Sequence, residues 1–171
     1  MKADFDKVFP VLTSLPIFSD FADNPDGRRI MSLVFDALEV EDFDEGDTIL
    51  KEGETGDAFY ILRSGSVKVL RKTTSGDMIA LSESDDSMHV CFGDAALMGN
   101  EKRIVTVLAT SDCHTLKISG KKFRKICERE PVLGYRVFLR LATDLKQSIE
   151  KANSDIATLY EALFREIEGS N

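Results

Sequence analysis

The segment Phe92-Gly93-Asp94-Ala95-Ala96-Leu97-Met98, followed after a short polar turn by Arg103-Ile104-Val105-Thr106-Val107, carries the parts of a small-anion site. A glycine allows close backbone approach and leaves N–H groups open, and a carboxylate accepts hydrogen bonds from vicinal hydroxyls. The fork of an arginine matches the paired oxygens of a phosphate. One short apolar helical turn lies between acid and arginine, and the run after Arg103 alternates as a strand does. Together these residues describe a cradle for a sugar phosphate set in β-structure.

Upstream, Phe43-Asp44-Glu45-Gly46-Asp47-Thr48-Ile49-Leu50-Lys51-Glu52-Gly53, then Gly56-Asp57-Ala58-Phe59-Tyr60-Ile61-Leu62, then Ser64-Gly65-Ser66-Val67-Lys68-Val69, read as hairpins with a glycine at each corner. From Leu38 to Ile118 the texture alternates between apolar and polar, as at Val67/Val69, Ile79/Leu81 and Val105/Val107. This predicts a mainly β fold, an antiparallel β-roll of the jelly-roll kind, with helices at either end. A helical lead-in is expected from about Phe5 to Phe18, closed by Pro16, and an amphipathic helix from Arg28 to Ala37. Ser82 to His89 is polar and acidic, and its conformation stays open.

The succession of corners ending in the Phe92 segment resembles the cyclic-nucleotide-binding domain family, represented by catabolite-activator-like regulators and protein kinase A regulatory subunits, over roughly residues 9 to 150. Its phosphate-binding cassette is usually Phe-Gly-Glu-Leu-Ala-Leu, about five residues, then Arg-Ala/Ser-Ala. The resemblance implies a cassette of Phe92, Gly93, Asp94, Ala95, Ala96, Arg103 and Ile104. Within it Gly93 offers backbone to the phosphate, Asp94 stands where a Glu grips the ribose 2′-hydroxyl, and Arg103 pairs with the cyclic phosphate. The implied ligand is cyclic AMP or cyclic GMP, with no other cofactor. This chain departs from the pattern at three places: Asp94 is one methylene short of Glu, Lys102 replaces the usual Pro, and Ile104 stands where Ala or Ser is usual. Ile is β-branched and stiff at a place where a small residue admits the phosphate.

Ser119 can cap a helix running to Glu130, and Pro131 suits the first turn of the next. From Tyr135 the apolar residues fall into a heptad. Tyr135, Ala142, Ile149, Ile156 and Leu163 occupy one core position, and Phe138, Leu145, Ala152 and Leu159 the other. Ile at the first and Leu at the second favours a parallel two-stranded coiled coil. A single helix packed on its own barrel explains Tyr135 to Leu145 as well, but a β-roll cannot cover a helix about 45 Å long. The expected organisation is therefore residues 1–130 as the roll with its lead-in and 131–171 as a dimerisation helix, making the chain a homodimer. The resemblance also implies that this helix closes the pocket, with Ser148 where a purine-contacting hydroxyl is found.

The 171 residues are 43% hydrophobic, enough for one substantial core, and no stretch has the apolar length of a membrane span. Met1-Lys2-Ala3-Asp4-Phe5-Asp6 mixes charges and does not read as a secretory signal, so a cytoplasmic protein is expected. Cys91, Cys113 and Cys127 are odd in number without Cys-x-x-Cys spacing, which fits buried free thiols. A net charge of −8 repels a nucleic-acid backbone, and few residues follow the long helix, so no direct DNA contact is expected. His89 and His114 stand apart without a His-x-His pair, arguing against a metal site, and no Gly-x-Ser-x-Gly elbow appears. The reading is a non-catalytic regulatory domain that binds a cyclic nucleotide and signals through its C-terminal helix to a separate protein. The alternative is a dimeric protein-interaction module that kept the fold and lost the ligand.

Overall fold

The computed structural model describes residues 4–99 and 101–169. Met1 to Ala3, Asn100, Ser170 and Asn171, which belong to the two expected units, lie outside the described residues.

The chain opens with α1 (Phe5–Ser14), capped by Asp4, whose carboxylate accepts the Asp6 N–H at 3.1 Å. The helix stops two residues before Pro16, because a residue preceding proline is driven to extended backbone, and Leu15 sits at φ −69°, ψ 133°. Residues Pro16–Phe21 then wind a 3₁₀ turn where a continuous lead-in was expected to Phe18. Helix α2 (Gly27–Asp36) follows within one residue of the expected bounds.

Among the described residues ten short strands come next: β1 (Glu39–Phe43), β2 (Thr48–Leu50), β3 (Thr55–Gly56), β4 (Ala58–Ser64), β5 (Ser66–Lys72), β6 (Met78–Asp85), β7 (Cys91–Phe92), β8 (Glu101–Lys102), β9 (Thr106–Ala109) and β10 (Cys113–Ser119). They form two four-stranded antiparallel sheets, β1-β10-β4-β7 and β2-β9-β5-β6, and a β3-β8 ribbon. Between β7 and β8 lies the four-residue helix α3 (Ala95–Met98). The polar stretch 82–89 divides: β6 runs on to Asp85, and a 3₁₀ turn over Asp86–Met88 follows.

Strand β4 shows why the roll holds its helices. Its residues alternate between faces, so Phe59 and Ile61 join an outer core with Leu12, Phe18, Met31 and Phe123, while Tyr60 and Leu62 join an inner core between the sheets with Val67, Phe92 and Val107. A strand apolar on both faces is thus the wall shared by two cores. Each large side chain buried there contributes about 1.5–3 kcal/mol.

Helix α4 (Gly120–Arg129) begins at Ser119, whose Oγ accepts the Lys122 N–H at 3.5 Å. After Glu130 the chain enters α5 (Pro131–Gly169), 39 residues and about 58 Å long. Only its first three turns pack on the body, through buried Leu133, Val137 and Leu141. The single-helix alternative covers the span Tyr135 to Leu145, and within it Val137 and Leu141 do pack on the body. Tyr135, Phe138 and Leu145 are exposed, because the apolar i, i+4, i+8 row that starts at Leu133 already fills the contact. From Leu145 to Arg165 every residue is exposed in the single chain, Ile149, Ile156, Leu159 and Leu163 among them. Among the described residues no helix is long and apolar enough to cross a membrane.

Candidate functional site

The two sheets, the ribbon and α3 surround a cavity of about 420 Å³, within the usual ~300–1,000 Å³ of small-molecule sites. Its apolar wall is Leu50, Val69, Val105, Val107 and Phe92, with the Phe92 ring stacked on Tyr60 at 5.6 Å between centroids. Gly93, Asp94, Ala95, Arg103 and Ile104 line it too, so six of the residues named from the sequence meet around one space. Ala96 lies behind them, fully buried. Ser148 is not among the lining residues; it is exposed on α5, and its Oγ donates to the Asp144 carbonyl at 2.9 Å.

Arg103 is the centre of the cavity's chemistry. It exposes 9% of its surface, and its guanidinium donates from Nη1 to the Gly93 carbonyl at 3.2 Å and from Nη2 to the Ala58 carbonyl at 2.6 Å. Its backbone is held as well: its N–H donates to Glu54 O and its carbonyl accepts from Gly53 N–H, each at 2.8 Å. Among the described residues it has no ion-pair partner. Backbone carbonyls rather than the Asp94 carboxylate brace its guanidinium. Burial pulls its pKa below the usual arginine value, opposed by the charges of Tyr60, Asp57 and Asp94. A guanidinium has five N–H donors, and two bonds to carbonyls leave three for an anion.

Two glycines make room for this geometry. Gly93 has φ +81°, and a Cβ there would lie 2.7 Å from the Ala58 carbonyl oxygen. At Gly56 a Cβ would lie 2.8 Å from Arg103 Nη2. Asp94 caps α3, its carboxylate accepting the Ala95 N–H at 2.9 Å. Ile104 is 73% exposed at the rim. Cys91 also lines the space, and burial, reinforced by the charges of Asp94 and Asp144, pushes its thiol up to about 12.

Asp57 and Arg124 are functional candidates that motif reading missed. Asp57 accepts from Ser119 Oγ at 2.6 Å and from Lys121 N–H at 3.2 Å, while Arg124 Nη1 donates to the carbonyls of Ala96 at 2.9 Å and Leu97 at 3.3 Å. Gly120 passes so close to α3 that a Cβ would lie 1.8 Å from the Ala96 carbonyl oxygen. The helix beside the cavity is therefore clamped to α4, and α4 leads directly into α5.

The histidines are peripheral: His114 Nδ1 lies 2.9 Å from Asp42, and His89 ends the 3₁₀ turn at φ +49°. Among the described residues no group of three or more His, Cys, Asp or Glu side chains is placed to hold a metal.

A family model described as cyclic nucleotide-binding domain matches residues 40–130, just over half of the chain. The cAMP-dependent protein kinase regulatory subunit of Dictyostelium discoideum is 32% identical over 94 residues, 54% of this chain and 28% of the relative. The cGMP-dependent protein kinase 2 of Homo sapiens is 34% identical over 96 residues, 56% of this chain and 12% of the relative. The match thus spans under a third of these relatives' own length. The crystal structure of the N-terminal domain of a transcriptional regulator from Streptomyces coelicolor A3(2) superposes with a TM-score of 0.69 at 20% identity, over 83% of this chain and 94% of that one. The chain belongs to the cyclic nucleotide-binding domain family.

Proposed function

We propose that this protein is a regulatory domain that takes up cyclic AMP or cyclic GMP in the cavity around Arg103 and passes the signal through α5 to a separate protein. One observation carries this reading. Arg103 is a cation nine-tenths buried, with no carboxylate paired to it among the described residues, on the wall of a cavity large enough for a small molecule. A buried charge without a counter-charge is costly unless a ligand supplies one. The cyclic phosphate would meet the free N–H groups of Arg103 and the backbone at Gly93, with the base along the apolar wall. Asp94 would reach the ribose by leaving the Ala95 N–H. The named relatives that carry cyclic-nucleotide-dependent activity support this choice of ligand.

Ligand seated against α3 would act on α4 through Arg124 and Gly120, and so on the angle of α5. Such a signal requires a ligand that binds one arrangement of α5 better than the other. The exposed apolar stripe Leu145, Ile149, Ile156, Leu159 and Leu163 supports a parallel dimer seam, completed by Phe138 and Ala152. Ser148, exposed on α5 beside that seam, is the helix hydroxyl that would contact the purine. The domain works by binding rather than catalysis, inside the cell and without touching DNA, a role that fits its net charge of −8.

A second reading, a ligand-free interaction module, draws on Ile104 at the rim and on Asp94 being engaged at α3. Titration calorimetry separates the two. The expected result is one cyclic nucleotide bound per chain; absence of heat with both nucleotides at high concentration establishes the module instead.

A further inference from the structure

Lys102 is the departure from the cassette pattern that the reading above leaves without a role. It lines the same cavity as Arg103 but remains exposed, whereas Arg103 is buried, so one cation belongs to the mouth and the other to the floor. Its backbone is fixed: β8 pairs Lys102 with Thr55 and Glu101 with Gly56, and the next residue is clamped by Gly53 and Glu54. The two cations therefore hold a set relation to each other. Among the described residues Lys102 takes part in no ion pair or hydrogen bond of its side chain. A lysine keeps its stem along apolar surface and carries a compact charge with three donors, which suits a mobile anion contact.

The charge balance points the same way. Arg103 and Asp94 alone would leave the lining neutral, and Lys102 makes it positive by one, against the single negative charge of a cyclic phosphate. Ile104 meanwhile brings a branched side chain to the rim, 73% exposed, where a phosphate would approach the backbone. We propose that Lys102 is a second phosphate-binding cation of this cavity, contacting the phosphate from the mouth and replacing the approach that Ile104 restricts. The proposal rests on the nucleotide-binding reading of the cavity. It makes recognition less dependent on the cyclic form: a nucleoside 5′-monophosphate, with a charge of about −1.5 to −2 at neutral pH, gains more from a second cation than a cyclic monoanion does.

The test compares the wild-type chain with Lys102→Met, which keeps the stem, and Lys102→Arg, which keeps the charge. Affinities for cyclic AMP, cyclic GMP and adenosine 5′-monophosphate are measured at low and high salt, with the melting temperature of each chain without nucleotide. The expected outcome is a loss of about tenfold for both cyclic nucleotides in Lys102→Met, a larger loss for the 5′-monophosphate, and a weaker salt dependence. Lys102→Arg should keep most of the affinity, and all three chains should melt alike. Unchanged affinities in Lys102→Met overturn the role of Lys102 and leave the cavity reading standing. Equal losses in both variants, or equal losses for cyclic and 5′-monophosphate ligands, also overturn it. No binding of any nucleotide to the wild-type chain overturns the cavity reading and this proposal together.

Discussion

Asp57 accepts a hydrogen bond from Ser119 Oγ at 2.6 Å across 62 residues of sequence, tying the start of β4 to the start of α4. Burial pushes the Asp57 carboxyl upward, but the Ser119 hydroxyl, the Lys121 N–H and Arg124 outweigh it, so its pKa lies below the usual aspartate value. A depressed folded-state pKa contributes stability that is complete above the unfolded value of about 4 and is lost as pH falls through the folded value. Asp57→Asn should lower the urea midpoint at neutral pH and narrow the gap between neutral and acid midpoints. Urea unfolding of both chains at neutral pH and at about pH 3 checks this. An equally wide gap in the variant would show that Asp57 is not a source of the acid sensitivity.

Gly93 is required twice over, by its φ of +81° and by the 2.7 Å that a Cβ would leave to the Ala58 carbonyl. Gly93→Ala should destabilise the fold by about 1–3 kcal/mol and displace the same carbonyl that holds Arg103. Chemical denaturation gives the stability, and nucleotide titration should show weakened binding. Wild-type values in both would mean the backbone at Gly93 can relax.

The exposed stripe on α5 predicts a dimer that a charge can break. Ile156→Glu places a carboxylate against its symmetry mate in the seam and should give monomers in light scattering, with the melting of the β-roll unchanged. Ile156 lies beyond the last turn that packs on the body, so its substitution leaves Leu133, Val137 and Leu141 in place. A wild-type monomer at tens of micromolar would remove the seam.

Asp94 and Ile104 are two cavity residues that depart from the usual pattern of the family's cassette. Asp94→Glu lengthens the side chain by the one methylene that the family's Glu has, and Ile104→Ala shortens the side chain exposed at the rim. The doubly changed chain should bind cyclic AMP or cyclic GMP about tenfold more tightly, measured by calorimetry. Unchanged affinity would mean that neither side chain limits the site.

Six of the residues that line the cavity could be named from the sequence because they lie in one segment, from Phe92 to Ile104, whereas Leu50 and Val69 reach the same space from distant strands and carry no motif. What holds Arg103 was not legible. Its acceptor at Ala58 is a backbone carbonyl 45 residues away, and carbonyls leave no trace in side-chain patterns. Arg124 and Asp57, 67 residues apart, are ordinary charged residues until the fold brings them together. Helix α5 misled for another reason. Between Leu133 and Leu145 it is apolar on two faces, and periodicity alone could not show that Leu133, Val137 and Leu141 are buried against the body, where α5 meets α4 and the Pro16–Phe21 turn, while Tyr135 and Phe138 turn away.

The most direct measurement is thermal unfolding of the wild-type chain and of Arg103→Ala, each with and without saturating cyclic AMP or cyclic GMP. A ligand that binds only the folded state at about 100 times its Kd adds about 2.7 kcal/mol, or roughly 5–10 °C for a chain of this size. Removing the arginine's paired hydrogen bonds to phosphate weakens binding by about thirty- to a thousand-fold. The wild-type chain should therefore melt several degrees higher with one of the nucleotides, and Arg103→Ala should show about a third of that rise or less, whatever its own melting temperature. A wild-type chain indifferent to both nucleotides, or a rise that survives Arg103→Ala in full, would contradict Arg103 as the phosphate-binding residue.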